Sequence, residues 1–199
     1  KTKAFIGALG IIALFILVSY ITRQNIDFLK ELIGNDIRGI FIYILIVIVA
    51  IVIAPISMMP LIPLSSGLWG VFWSAIINIV GWTIGSFIVF FISRKYGKPL
   101  VKKLISFKEI EKFEKRIPKE RVFMTLILLR MTIAVDILSY AISLFTKINF
   151  RTYAITTIIG IIPFAFVFSY LGTIPLTYQI IGFIVIGLII TLLNKSVLE

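Results

Sequence analysis

The sequence predicts an all-α polytopic membrane protein: about four spanning helices plus two opposed re-entrant hairpins, arranged as an inverted repeat. Three observations predict it. Of the 199 residues 60% are hydrophobic and only 15% charged, with a mean hydropathy of +1.11, where a soluble domain would hold roughly 45–50% apolar residues. The apolar residues gather into runs long enough to cross ~30 Å of hydrocarbon as helices. Two runs are broken by prolines or by ionisable groups, and broken backbone at membrane depth persists only where protein or a water-filled cavity covers it.

Residues 4–22 (AFIGALGIIALFILVSYIT), preceded by Lys1 and Lys3, read as an anchor helix entering from the cytoplasm. The run is long and no small-x-small cleavage site follows it, which argues against a secretory signal. The link at 23–38 balances Arg23, Lys30 and Arg38 against Asp27, Glu31 and Asp36, as suits a non-cytoplasmic loop. Residues 39–54 are apolar but short and run directly into 55–70, where Pro55, Pro60 and Pro63 remove backbone donors and Gly67 and Gly70 follow. This stretch reads as a hairpin that dips in from the outside; a kinked span that binds nothing is the alternative. Residues 71–93 form a full span in which Gly81 and Gly85, four apart, permit close helix contact and Asn78 can hydrogen-bond a hairpin. Trp69, Trp73 and Trp82 read as interface anchors and packing residues.

Arg94 and Lys95 close that span at the cytoplasmic face. Residues 94–121 hold eleven Lys/Arg and four Glu, and so supply +7 of the net +11. Between long apolar runs, such a block reports loop orientation rather than a nucleic-acid site. Within it Phe107, Ile110, Phe113 and Ile117 share one helical face. That pattern fits an interfacial helix on an anionic leaflet and fits an ordinary solvated hairpin equally well. Residues 122–146 carry Arg130 and Asp136 between basic flanks, Arg121 on one side and Lys147 and Arg151 on the other, so this stretch is expected to dip from the cytoplasmic side. Residues 152–171 and 175–193 are the last spans, joined by the turn Gly172-Thr173-Ile174-Pro175. The chain thus divides into an anchor and link (1–38), a core (39–172) and a C-terminal helix (173–199). The core comprises a first hairpin plus span (39–93), the basic loop (94–121) and a second hairpin plus span (122–172). Hairpin-plus-span units of opposite orientation, meeting near the midplane, are a recurring transporter design.

The chain has neither His nor Cys, which removes Cys- or His-based nucleophilic pairs, most zinc and haem sites, and disulfides. Intramembrane aspartyl proteolysis needs two carboxylates sharing a proton, and the core offers only Asp136. Metal-dependent headgroup transfer needs a carboxylate cluster, and a Ser–Lys pair needs a lysine within a span. Neither is present, so transport or binding is expected rather than catalysis, with no cofactor or metal. Arg130 and Asp136 each cost at least ~2.5–3.5 kcal/mol to insert, which makes them functional candidates by default. Six residues apart on a continuous helix they lie ~120° from each other, so they pair only if the backbone bends between them. In one reading Arg130 receives an anionic group, its guanidinium fork matching phosphate, with Asp136 as counter-ion or protonatable coupling group. In the other they form an ion pair that holds the hairpin together.

Residues 54–103 (APISMMPLIPLSSGLWGVFWSAIINIVGWTIGSFIVFFISRKYGKPLVKK) resemble the first half of the VTT domain of the DedA / SNARE-associated Golgi protein superfamily. That family has a Pro-rich hairpin, a G-x-x-[FW]-G turn and a Gly-bearing span ending in (S/A)-R-x-x-G, here Ser93-Arg94-Lys95-Tyr96-Gly97. The second half is similar to the family's LLR…(D/N)xL(N/S)YxxGLT…F…GxxPxxxxYxxxG pattern through Arg130, Asp136, Tyr140, Phe150, Gly160, Pro163, Tyr170 and Gly172. The resemblance implies opposed re-entrant hairpins, with a cavity built from Pro60, Pro63, Gly67, Asn78 and Tyr140, a cytoplasmic-end motif at Arg94 and Gly97, and movement of lipids across the bilayer. Bacterial members are associated with recycling undecaprenyl phosphate and eukaryotic relatives with phospholipid scrambling. The chain departs from the bacterial branch in having Ile56 and Ser57 where a Glu precedes the Pro-rich motif, and Ile133 and Val135 where prolines follow the arginine. It therefore resembles the Golgi-protein-like branch more. The partners to expect are membrane lipids, anionic ones foremost, and further copies of the chain; nucleic acid is not expected. The localisation to expect is a prokaryotic cytoplasmic membrane. A solute transporter of the same architecture and a non-transporting scaffold acting through 98–121 are the alternatives.

Overall fold

The computed structural model describes residues 2–34, 36–53, 58–104, 122–132, 135–145 and 148–185. Every element among them is helical. In chain order they are α1 (Thr2–Gln24), α2 (Ile26–Ile33), α3 (Ile37–Ile53), a short 3-10 turn (Met59–Leu61) and α4 (Ile62–Leu104), then α5 (Val122–Thr132), α6 (Val135–Phe145), α7 (Phe150–Thr173) and α8 (Leu176–Val185). Met59–Tyr96 and Phe150–Thr173 are long and apolar enough to cross a membrane, and the bent pair α1–α2 makes a third candidate. The fourth expected span is described only as the short apolar helix α8, since 186–193 lie outside the described residues.

The first unit reverses direction twice. Pro60 and Pro63 stand in the first turns of the 3-10 segment and of α4, where no backbone donor is needed. α4 is two helical arms that fold back on each other at Gly70, whose φ of +74° lies outside the right-handed helical region. The proof lies in side chains: the Ser65 and Ser74 hydroxyls are 2.6 Å apart and Asn78 Nδ2 donates to Ser65 Oγ at 3.2 Å. On a straight helix nine residues would separate Ser65 from Ser74 by ~13.5 Å. The arm after Gly70 then runs alongside α3 in the same direction, with Tyr43 bonded to Asn78 and with Gly81 against Val47 and Gly85 against Ile51. A Cβ on Gly81 would meet Val47 Cγ1 at 2.9 Å, so the expected close approach of backbones is real.

The second unit repeats this plan. Arg130 Nη1 donates to Ser139 Oγ at 3.3 Å, and Leu126 shares a buried cluster with Leu138 and Ile142, which places α5 and α6 side by side and antiparallel. Along α7, α5 runs in the same direction: Leu126 clusters with Tyr153, and Arg130 packs on Gly160. The two long helices oppose each other. Ser74 meets Ser169, Trp82 meets Phe164, Phe90 meets Tyr153 and Arg94 reaches the Ile148 carbonyl. Two hairpin-plus-helix units of opposite direction are therefore packed on one α4–α7 spine.

α1 closes the outside of this spine through Phe15, which meets Phe168 and Phe183 edge-on. Two expectations change. Half of the link 23–38 is the helix α2, bent 90° from α1; Asp27, Lys30 and Glu31 sit on α2, Arg23 on α1 and Arg38 on α3, which leaves Asp36 between helices. The span expected to end at residue 93 continues helically to Leu104 across Gly97 and Pro99. The apolar face at Phe107, Ile110, Phe113 and Ile117, together with Pro55, Ile56, Ser57 and Ile133, lies outside the described residues.

Candidate functional site

Arg130 ends α5 with no solvent exposure. Gly160 makes room for it: a Cβ there would lie 2.7 Å from Arg130 Cβ. The guanidinium carbon then sits 5.0 Å from the Tyr153 ring centroid, a cation–π contact that partly offsets desolvation. Nη1 donates to Ser139 Oγ at 3.3 Å, and Ser139 in turn donates to Ser86 Oγ at 3.1 Å. Tyr153 is fixed by its own hydroxyl, which donates to the Ser86 carbonyl at 2.9 Å. The remaining edge, Nε and Nη2, is buried and has no hydrogen-bond partner among the described residues. Those two N–H groups point the same way and form the bidentate fork that fits a phosphate or carboxylate. Asp136 lies at the start of α6, across the α5–α6 bend that pairing would need; its side chain is outside the described part of the structure.

A second polar cluster is buried nearer the Gly70 turn. Tyr43 donates to Asn78 Oδ1 at 3.0 Å, Asn78 Nδ2 reaches Ser65 and the Ser74 carbonyl, and Ser66 and Ser74 continue the network to Ser169 on α7. The network ties the first hairpin to both long helices. Ser74, Asn78, Trp82 and Ser86 follow one another at four-residue steps and are all buried, a row that turns ~40° per step around α4 and joins the two clusters.

Tyr140 joins the hairpins, its hydroxyl donating to the Val52 carbonyl at the end of α3 at 2.5 Å. Pro63 is buried, and a Cβ on Gly172 would come within 2.9 Å of its Cα. Gly67 touches α1, where a Cβ would come 2.6 Å from Thr22 Cγ2. Arg94 is away from this centre: it donates to the Ile148 carbonyl at 2.9 Å and lies over the Phe90 ring, a tie between α4 and the start of α7. Gly97 is on the same helix, and its surroundings lie outside the described residues. Of the residues named from sequence, Arg130 and Asn78 lie in these buried clusters and Tyr140 lies between the hairpins, while Ser86, Ser139, Tyr153 and the serines around Asn78 were not named. Four-residue spacing relates only Ser74, Asn78 and Ser86 on α4, and Ser139 falls in the (N/S)-Tyr position of the family pattern. No group of three metal-capable side chains occurs among the described residues.

The VTT domain family model matches residues 39–174, about two thirds of the chain and the whole of both hairpin-plus-helix units. No curated protein and no solved structure matches the chain. With the match spanning both units, and with apolar helices of membrane-crossing length, the chain belongs to the VTT-domain (DedA / SNARE-associated) family of integral membrane proteins.

Proposed function

We propose that the chain is a lipid transporter, a flippase or scramblase, that moves an anionic lipid such as a polyprenyl phosphate or phospholipid across the bilayer. The phosphate is held by the Nε–Nη2 edge of Arg130 while the tails stay in surrounding lipid. The observation that supports this most is the open fork: a fully buried guanidinium with two donors that have no partner among the described residues. A buried charge left so is costly, and an anionic ligand would satisfy it. α3 to Gly70 is read as entering and leaving on the outer side, and α5–α6 on the cytoplasmic side with the basic segment 94–121. Because Arg130 is sealed in this conformation, loading requires the α5–α6 hairpin to part from α4 and α7, which is alternating access between repeats. Asp136 is the counter-ion or coupling group. With no acid between Asp36 and Glu109, a Glu–Asp coupling pair of the bacterial kind is not part of this reading, which favours the Golgi-protein-like branch.

The test is a headgroup-resolved translocation assay in proteoliposomes, with anionic and zwitterionic lipids and with and without a pH gradient. Anionic lipid is expected to move at least tenfold faster than zwitterionic lipid. Uptake of a water-soluble anion with no lipid movement would replace this reading by the solute-transporter alternative.

A further inference from the structure

A cavity of about 270 Å³ opens at the end of the molecule opposite Arg94, lined among others by Ser19, Thr22 and Arg23 of α1, Pro63 and Gly67 of α4 and Thr173 of α7. Its cationic wall, α1, lies outside the matched domain. Arg23 is held at the rim because Nη2 donates to the Thr173 carbonyl at 2.6 Å and to that of Ile174. Its Nε and Nη1 keep no partner among the described residues. Behind the rim Ser19 is fixed, its hydroxyl donating to the Gly172 carbonyl at 3.5 Å and accepting from Gln179 Nε2 at 2.6 Å. Pro63 lacks an N–H and Gly67 a side chain, so the inner wall is bare. The volume lies just under the ~300 Å³ at which drug-sized pockets begin, enough for a headgroup and not for a lipid. The cavity also adjoins the serine network, since Ser66 Oγ lies 3.3 Å from where a Cβ on Gly172 would stand. From there Ser74, Asn78, Trp82 and Ser86 form a buried row along α4 that ends beside the Arg130 cluster, ~18 Å along the helix.

We infer that this cavity is a second phosphate-headgroup station, at which Arg23 receives or releases the anion that Arg130 holds in the interior. The inference rests on the reading of Arg130 as a phosphate seat and is tested so that the two can fail separately. The full chain in neutral detergent is titrated calorimetrically with dihexanoyl phosphatidic acid and, separately, with inorganic phosphate. Wild type is expected to bind two equivalents of the lipid; Arg23→Gln, and Thr173→Leu, which fills the cavity but keeps the main-chain carbonyls that hold Arg23, are each expected to bind one. Arg130→Ala is expected to bind one and the Arg23→Gln/Arg130→Ala double variant none. A wild type that binds one equivalent, lost only in Arg130→Ala, overturns the cavity station, as do two equivalents retained in both cavity variants. Two equivalents retained in Arg130→Ala alone overturn the interior seat and leave the cavity standing. Inorganic phosphate at least tenfold weaker than the lipid supports a headgroup as ligand, whereas equal affinity overturns the lipid assignment in favour of the free anion.

Discussion

Arg130 is placed by subtraction: Gly160 gives up a side chain so that the arginine can lie between α5 and α7. Gly160→Ala is therefore expected to lower the thermal unfolding midpoint in detergent, by the equivalent of about 1–3 kcal/mol for an overpacked contact, and to slow lipid movement by displacing the guanidinium. An unchanged midpoint would mean that the contact relaxes freely. Arg130 was legible in the sequence because a charge inside an apolar run is expensive wherever it ends up. Ser86 and Ser139 were not, because a serine can bond its own helix and so sits in a span at little cost. Tyr153 was hidden for a related reason: it looks like any interfacial aromatic until its ring is found under the guanidinium.

Among the elements, the fold-back of α4 at Gly70 carries the most consequence, because it brings Ser65 and Ser66 onto Ser74 and Asn78. The chain has no cysteine, so a Ser65→Cys/Ser74→Cys pair tests it without background. The pair is expected to form an intramolecular disulfide under mild oxidant, whereas on a straight helix its Cα atoms would lie far beyond the ~7 Å limit for such a bond. Failure to cross-link in folded protein would contradict the hairpin. Gly70→Ala should destabilise by about 1–2 kcal/mol, the cost of a left-handed residue with a side chain, read as a lower unfolding midpoint. The prolines announced a break at 55–63, since their missing donors cannot continue a helix, and the hairpin limit at residue 70 followed from that. α2 was missed because the charge balance of 23–38 as a whole was read as a loop and its eight-residue apolar spacing was passed over. The i, i+3, i+7 spacing of Ile26, Leu29 and Ile33 carries its helical phase, and these three are the half-buried residues on its inner side.

For the whole molecule, charge asymmetry predicted opposite orientation of the two units, and the antiparallel α4–α7 spine has that sense, from Ser74–Ser169 at one end to Arg94–Ile148 at the other. Single cysteines at Asp36 and at Lys95 or Arg151 should react with a membrane-impermeant maleimide from opposite faces of sealed vesicles; labelling of all three from one face would contradict the topology. The fold was legible wherever length, proline and charge constrain a helix in lipid. The site was not, because it forms where two sequence-distant hairpins meet, at Tyr140–Val52 and Ser139–Ser86. The central claim is that the interior guanidinium carries a phosphate, and it is tested most directly by anionic-lipid translocation in proteoliposomes of wild type, Arg130→Lys and Arg130→Ala at matched protein incorporation. Losing one charged hydrogen bond costs ~1.5–3 kcal/mol, so Arg130→Lys should be at least roughly tenfold slower and Arg130→Ala should fall to the protein-free rate. Wild-type translocation in Arg130→Ala would contradict the account.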